Sequence, residues 1–164
     1  MKIYIASDHA GFELKQKLIE YVKELAKSEI SDRTSTEGFS GYEVKDHGAF
    51  EYNKEDDYPD FVVGVAKSVA EDPENSRGIV LGMSGQGEAM VANRFPGVRA
   101  TVWYGGNEEI IKLSREHNDA NILSIGARFV SEEEAKKAVD LWLATSFSGD
   151  ERHARRNKEI DSIE

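Results

Sequence analysis

The segment Gly82-Met83-Ser84-Gly85-Gln86-Gly87-Glu88 carries the densest chemical signal in the chain. Its three glycines let the backbone turn tightly, and Ser84 adds a hydroxyl. Between a strand and a helix, such a loop aims backbone N–H groups at one spot. That spot suits a phosphate or a developing enolate oxygen. The same spacing also serves as a plain structural turn. It matches neither G-x-G-x-x-G nor G-x-x-x-x-G-K-[ST], because it has no lysine. Glu88 closes the loop. It reads either as a first-turn acid favoured by the helix dipole or as a general base aimed into a cleft, beside donors that hold the resulting oxyanion. Gly82 has no side chain and can take no proton.

Three further groups offer chemistry. Asp8-His9 follows an apolar run directly; Asp8 reads as a helix cap or as half of a titratable pair. His117-Asn118-Asp119-Ala120-Asn121 is dense in hydrogen-bonding side chains, as a site or as a helix end with asparagine turns. Arg152, Arg155 and Arg156 form a basic cluster, and Arg128 stands alone after Gly126-Ala127. They read as a solvated face or as a grip on phosphate, which the arginine fork suits. The four histidines stand at 9, 47, 117 and 153, with no H-x-x-x-H pair. With no cysteine, this excludes thiolate chemistry and Cys-ligated zinc, and no metal is expected. His47 is expected at the surface.

Strands and helices must position these groups. Lys2 to Ala6 reads as a buried strand, and Phe12 to Lys27 has helical apolar spacing. Tyr42 to Asp46 reads as a second strand. Pro59 is placed to open a helix reaching about Ala70. Arg77 to Leu81, Val98 to Trp103 and Ile122 to Ile125 complete five strands. Helices are expected over Ala89–Arg94 and Glu108–Glu116. Another should open at the capping-box pattern Ser131-Glu132-Glu133-Glu134 and run to about Thr145. Residues 28–43 read as a surface-loop insertion, and about 148–164 as a charged, basic C-terminal segment. Alternation of this kind implies βαβ units and a parallel sheet covered on both faces, with ligands at the carboxyl ends of the strands. The Asp8 turn, the 82–88 loop and the segment around His117 are all expected there.

The 164 residues suit one domain, and 39% hydrophobic content is enough to bury a core. Charged residues make up 32% and the net charge is −10, which argues against a general nucleic-acid binder. No apolar run approaches a membrane span and the start lacks a signal-peptide pattern, so a soluble cytoplasmic protein is expected. A flavodoxin-like nucleotide module is weakened by the missing phosphate-loop and dinucleotide fingerprints.

In order along the chain stand SDHAG at 7–11, DYPD at 57–60, GxGE with AN-R-PG-RA at 85–100, HNDAN at 117–121, GAR at 126–128 and RHARR at 152–156. Through these motifs nearly the whole chain resembles the ribose-5-phosphate isomerase B family, which includes galactose-6-phosphate isomerase subunits. The resemblance implies a three-layer, Rossmann-like α/β fold with a central parallel sheet of about five strands. It also implies aldose–ketose isomerisation of ribose 5-phosphate and ribulose 5-phosphate through a cis-enediol. The alternatives are a hexose 6-phosphate of allose or galactose type, or a noncatalytic sugar-phosphate-binding protein. Many members carry a catalytic cysteine where this chain has Gly82, and a second subgroup has a glutamate at the loop's end. The base role then falls to Glu88, and Ser84 assists proton movement between substrate oxygens. Asp8 joins the catalytic set at the substrate, with His9, Gly85 and Gly87 as binding residues. His117, from a partner subunit, becomes the ring-opening acid/base with Asn118 beside it. Arg128, Arg152 and Arg156 match phosphate contacts. The family pattern implies no metal or organic cofactor and a homodimer, often paired into tetramers, with active sites at the subunit interface.

Overall fold

The computed structural model describes residues 1–27 and 41–163. Most of the insertion expected at 28–43 therefore lies outside the described residues. The elements run β1 (Lys2–Ser7), α1 (Phe12–Lys27), β2 (Glu43–Asp46), α2 (Tyr58–Glu71), β3 (Ser76–Gly82), α3 (Gln86–Ala92), β4 (Ala100–Trp103), α4 (Glu109–Glu116), β5 (Ile122–Gly126), α5 (Glu132–Ala144) and α6 (Glu151–Asp161). The five strands form one sheet in the order β2-β1-β3-β5-β4, and every pairing is parallel.

Strand alternation builds two cores. Ile3, Ile5, Ile79, Leu81, Leu123 and Ile125 face one side, where α1, α4 and α5 add Leu18, Val22, Ile111, Val139 and Trp142. Ala6, Val80 and Ile122 face the other, against Val62, Val65, Ala66 and Val69 of α2 and Ala92 of α3. Helices cover both faces, so the sheet is the middle of three layers. Consecutive connections leave β1 toward β2 on one side and return to β3 on the other. This makes the crevice between the carboxyl ends of β1 and β3 a topological switch point.

Pro59 sits in the first turn of α2, as its fixed φ favours. Ser131 and Glu134 close the expected capping box on α5. Most of the charged C-terminal segment is helix α6, which buries His153 and Asn157. One expectation needs correction. His47 is not a free surface residue. It is half-buried, edge-on to Tyr4 at a ring separation of 5.2 Å, and seated against Gly64, where a Cβ would meet its Nδ1 at 2.7 Å. Burial lowers its pKa.

Candidate active site

The β1 turn, the β3 loop and β5 meet at the switch point. Asp8 follows β1 and is buried; its Oδ1 accepts from the backbone N–H groups of Ala10 (3.0 Å) and Gly11 (3.2 Å). It is therefore a turn-forming cap, and it is also a buried carboxyl facing the crevice. Burial raises its pKa, only partly offset by the Gly11 hydrogen bond and the neighbouring His9. The turn packs hard on β3: a Cβ on Gly11 would lie 2.6 Å from Leu81 Cβ.

Glu88 stands in the first turn of α3 and is 3% exposed. Its carboxyl lies over Gly82, where an added Cβ would come within 1.8 Å of Oε1. The glycine at the end of β3 is thus the space the carboxyl occupies. Burial raises the Glu88 pKa and the Asp8 charge adds to this, while its own backbone N–H opposes it. A buried carboxyl with a raised pKa, at the carboxyl end of a central strand, is poised to accept and return a proton.

Gly85 caps α3 at φ 76°, in the left-handed region. It packs on β5, where a Cβ would sit 3.1 Å from Gly126 N, and its carbonyl accepts from Ser124 Oγ at 2.6 Å. Gly87 gives room to Tyr58, whose ring a Cβ would meet at 2.7 Å. Ser84 is half-buried, and its Oγ receives the Gln86 N–H at 3.4 Å. Arg128 is exposed just past β5, with its backbone N–H on Met83 O at 3.2 Å, beside the same loop. The structure thus brings Asp8, His9, Ser84, Gly85, Gly87, Glu88 and Arg128 to one end of the sheet.

It does not bring His117 there. α4 runs back from β4, and His117 caps its C-terminus before β5 begins. Gly78 N–H donates to Asn121 O at 2.8 Å, and the pairing then runs from Gly78–Ile122 to Gly82–Gly126. Four residues of strand, about 13 Å, separate the His117 segment from the level of Gly82. The expectation that this segment lies at the carboxyl ends is corrected: it lies at the opposite edge. Helix reversal in a βαβ unit requires that.

A second constellation forms at that edge. The His117 and His153 rings lie 4.1 Å apart, and Asn157 Nδ2 donates to His117 O at 3.2 Å. Arg152 Nε donates to His153 Nε2 at 3.1 Å, so the ring's proton sits on Nδ1, 3.1 Å from Ser148 Oγ. Burial and the neighbouring His117 and Arg152 lower the His153 pKa. Arg152, Arg156 and Asn118 are exposed around this pair. The rest of the segment is structural. Asp119 takes a positive φ of 45° and accepts from Arg99 and Arg115, while Asn121 bridges Arg99 N and Gly97 O.

The motifs DYPD and RHARR contain Tyr58 and His153 without assigning either a role, and Asp56 lies outside both. Asp56 Oδ1 accepts from His9 backbone N at 3.0 Å and lies 2.6 Å from His9 Nδ1. The DYPD motif begins one residue later and was the available signal. Among the described residues, Asp8, His9 and Asp56 make one group whose ligand-type atoms all lie within 4.8 Å. There the facing His9 and Asp56 atoms are engaged with each other and Asp8 Oδ1 with backbone amides, so the group reads as a hydrogen-bonded pair beside a cap.

The chain matches the family model for Ribose/Galactose Isomerase over residues 3–160. It is 41% identical to the ribose-5-phosphate isomerase B of Mycolicibacterium paratuberculosis over 157 residues, which cover 95% of this chain and 87% of that one. The crystal structure of ribose-5-phosphate isomerase B from Mycoplasma genitalium with bound ribulose-5-phosphate is similar at a TM-score of 0.84 and 34% identity, covering 98% of this chain and 93% of that one. The Clostridium thermocellum ribose-5-phosphate isomerase B is similar at 0.83 and 41%, covering 99% and 97%. A glutamate seated over Gly82 at the switch point of a parallel sheet and a match along almost the full length agree: this chain belongs to the ribose/galactose isomerase family.

Proposed function

We propose that the chain interconverts ribose 5-phosphate and ribulose 5-phosphate, with Glu88 as the base that moves a proton between C2 and C1 through a cis-enediol. The observation that carries this reading is the buried Glu88 carboxyl over Gly82, beside Asp8 and the glycine turn. Glu88 takes the C2 proton, backbone donors of the 84–87 turn hold the oxygen that gains charge, and Ser84 passes a proton between the two substrate oxygens. The phosphate lies against His9 and Arg128 on this side, and its binding energy positions C2 against the base. The chemistry needs no metal, so chelator is expected to leave the rate unchanged.

Ring opening needs an acid/base, and His117 is that group. Since His117, Arg152 and Arg156 sit at the far edge of their own sheet, they reach Glu88 from a second copy. The loop edge offers an apolar surface for it: Met83, Met90, Tyr104 and Phe129 are each about half or more exposed. Such a homodimer holds two composite sites.

The test is isomerase activity across five- and six-carbon sugar phosphates for the wild type and Glu88→Gln. Ribose 5-phosphate should be the better substrate. Glu88→Gln should lower kcat by about 10²–10⁴-fold with KM little changed, and exchange of the substrate C2 proton with solvent should fall in parallel. Near-normal turnover in Glu88→Gln would reduce Glu88 to a first-turn acid. Preference for a hexose 6-phosphate would move the substrate assignment.

A further inference from the structure

His9 presents a cation problem that the isomerase reading leaves open. The crevice around it is acidic: Asp8 precedes it, Glu55 and Asp56 face it from the loop before α2, and Glu88 lies beyond Asp8. A phosphate dianion entering here meets four carboxyls. Lys15 is no help, being fully buried on Asp46 and the Ala49 carbonyl. A neutral imidazole would add a dipole but no charge.

The loop before α2 meets this need at one residue. The Asp56 side chain is 8% exposed, against 29% for the His9 ring. Its Oδ1 takes both the His9 backbone N–H and Nδ1, fixing the ring from two directions. Its Oδ2 is buried with no hydrogen-bond partner among the described residues, so the carboxyl faces little else of opposite charge. Tyr52 stands edge-on to the ring at 6.4 Å. The ring's own shape turns Nε2 away from Asp56, and Nε2 makes no hydrogen bond among the described residues.

We propose that Asp56 is a positioning residue that keeps His9 an imidazolium, with its Nε2–H presented to the phosphate of the substrate. A buried carboxylate on Nδ1 stabilises the charged ring, and a charged ring donates a stronger hydrogen bond to an oxyanion than a neutral one. The hydrogen bond to Asp56 is the main cause raising the His9 pKa, with Asp8, Asp56 and Glu55 adding charge in the same sense and burial opposing. Affinity for phosphate should therefore persist to higher pH than an ordinary histidine allows.

The inference rests on the isomerase reading for its ligand, but it is tested without turnover. Asp56→Asn keeps an acceptor for the His9 backbone and ring and removes the charge. Two quantities are read on the whole protein: the His9 titration by histidine-ring NMR, and the dissociation constant of inorganic phosphate at pH 6 and pH 8. The variant-to-wild-type ratio at each pH cancels the phosphate's own titration. In Asp56→Asn the His9 midpoint should fall toward its ordinary value. Phosphate should weaken about tenfold at pH 8 and much less at pH 6, and for the sugar phosphate the loss should fall on KM rather than kcat. In a His9→Ala background, Asp56→Asn should add little, since the pair acts as one unit. An unchanged His9 midpoint, an unchanged phosphate constant at pH 8, or an equal loss in the His9→Ala background would each overturn the proposal. A wild type that binds phosphate but turns over no sugar phosphate would instead strike the functional reading alone.

Discussion

At the scale of single residues, the site depends on an absence. Gly82 has no proton to give, yet a methyl group there would occupy the place of the Glu88 carboxyl. A side chain at 82 and a carboxylate from 88 therefore exclude each other. Gly82→Ala is expected to leave the sheet intact, displace Glu88 and lower kcat by at least tenfold, read by steady-state kinetics beside circular dichroism. Full activity would mean that Glu88 works from another position. Glu88 also carries a stability cost. Its folded pKa is raised, so the folded state disfavours the ionised form, and the cost is present above that pKa and relieved as pH falls through it. Glu88→Gln should therefore raise Tm at neutral pH while losing activity, and the acid limb of wild-type kcat should lie above the ordinary glutamate value of 4.5. A lower Tm in Glu88→Gln would contradict the burial argument. The buried Glu88 and its loop were legible because glycine spacing and a terminal carboxylate are local signals. The His9–Asp56 pair spans 47 positions, so the DYPD motif marks where Asp56 lies but no local pattern encodes its contact with His9.

At the scale of elements, the readable ones bury apolar stripes. β1, α1, α2, β3 and β5 show apolar periodicity in sequence because one face of each must meet the core. α6 defied that reading for a physical reason: its buried face is polar, His153 and Asn157 one turn apart, and most of the rest of the helix is charged. β4 begins at Ala100, two residues later than expected, because the Val98 N–H turns back to Phe95 O and the Arg99 N–H is taken by Asn121 Oδ1. The α6 latch has a pH dependence. The folded His153 pKa is lowered, so above the unfolded value of about 6.5 both states are neutral and nothing is lost. Below it the unfolded or detached state takes the proton first, and the latch weakens until pH reaches the folded pKa. Protonation also removes the acceptor for Arg152 Nε. Amide exchange in α6, corrected for the intrinsic pH effect, should be less protected at pH 5.5 than at pH 7.5, with α5 little affected. Equal protection would show that the His153 contacts do not hold the helix.

At the scale of the whole molecule, parallel topology decides what one chain can assemble. Every strand carries its loop residues to one edge, and every returning helix carries its C-terminal residues to the other. Asp8, Ser84 and Glu88 belong to the first class and His117 to the second, and α6, which follows the last strand, sets Arg152 and Arg156 beside His117. Motif order in the sequence reveals both groups but not the length of β5 that divides them, and only the register shows that they stand at opposite ends of one chain's sheet. A composite site makes a prediction that no single-chain site shares. Glu88→Gln lacks the base but keeps an intact His117 edge, and His117→Ala the reverse. Each homodimer should be nearly inactive. After subunit exchange, each mixed dimer pairs the intact Glu88 crevice of one chain with the intact His117 edge of the other. Random exchange of equal amounts makes half of the dimers mixed, each with one working site of two, so about a quarter of wild-type activity should return. The measurement is isomerase rate against time after mixing, with exchange followed in parallel by mass-tagged subunits. Recovery should track exchange and stop if the subunits are crosslinked before mixing. Complete exchange without recovery would place the whole reaction within one chain, and the His117 edge would then need another role.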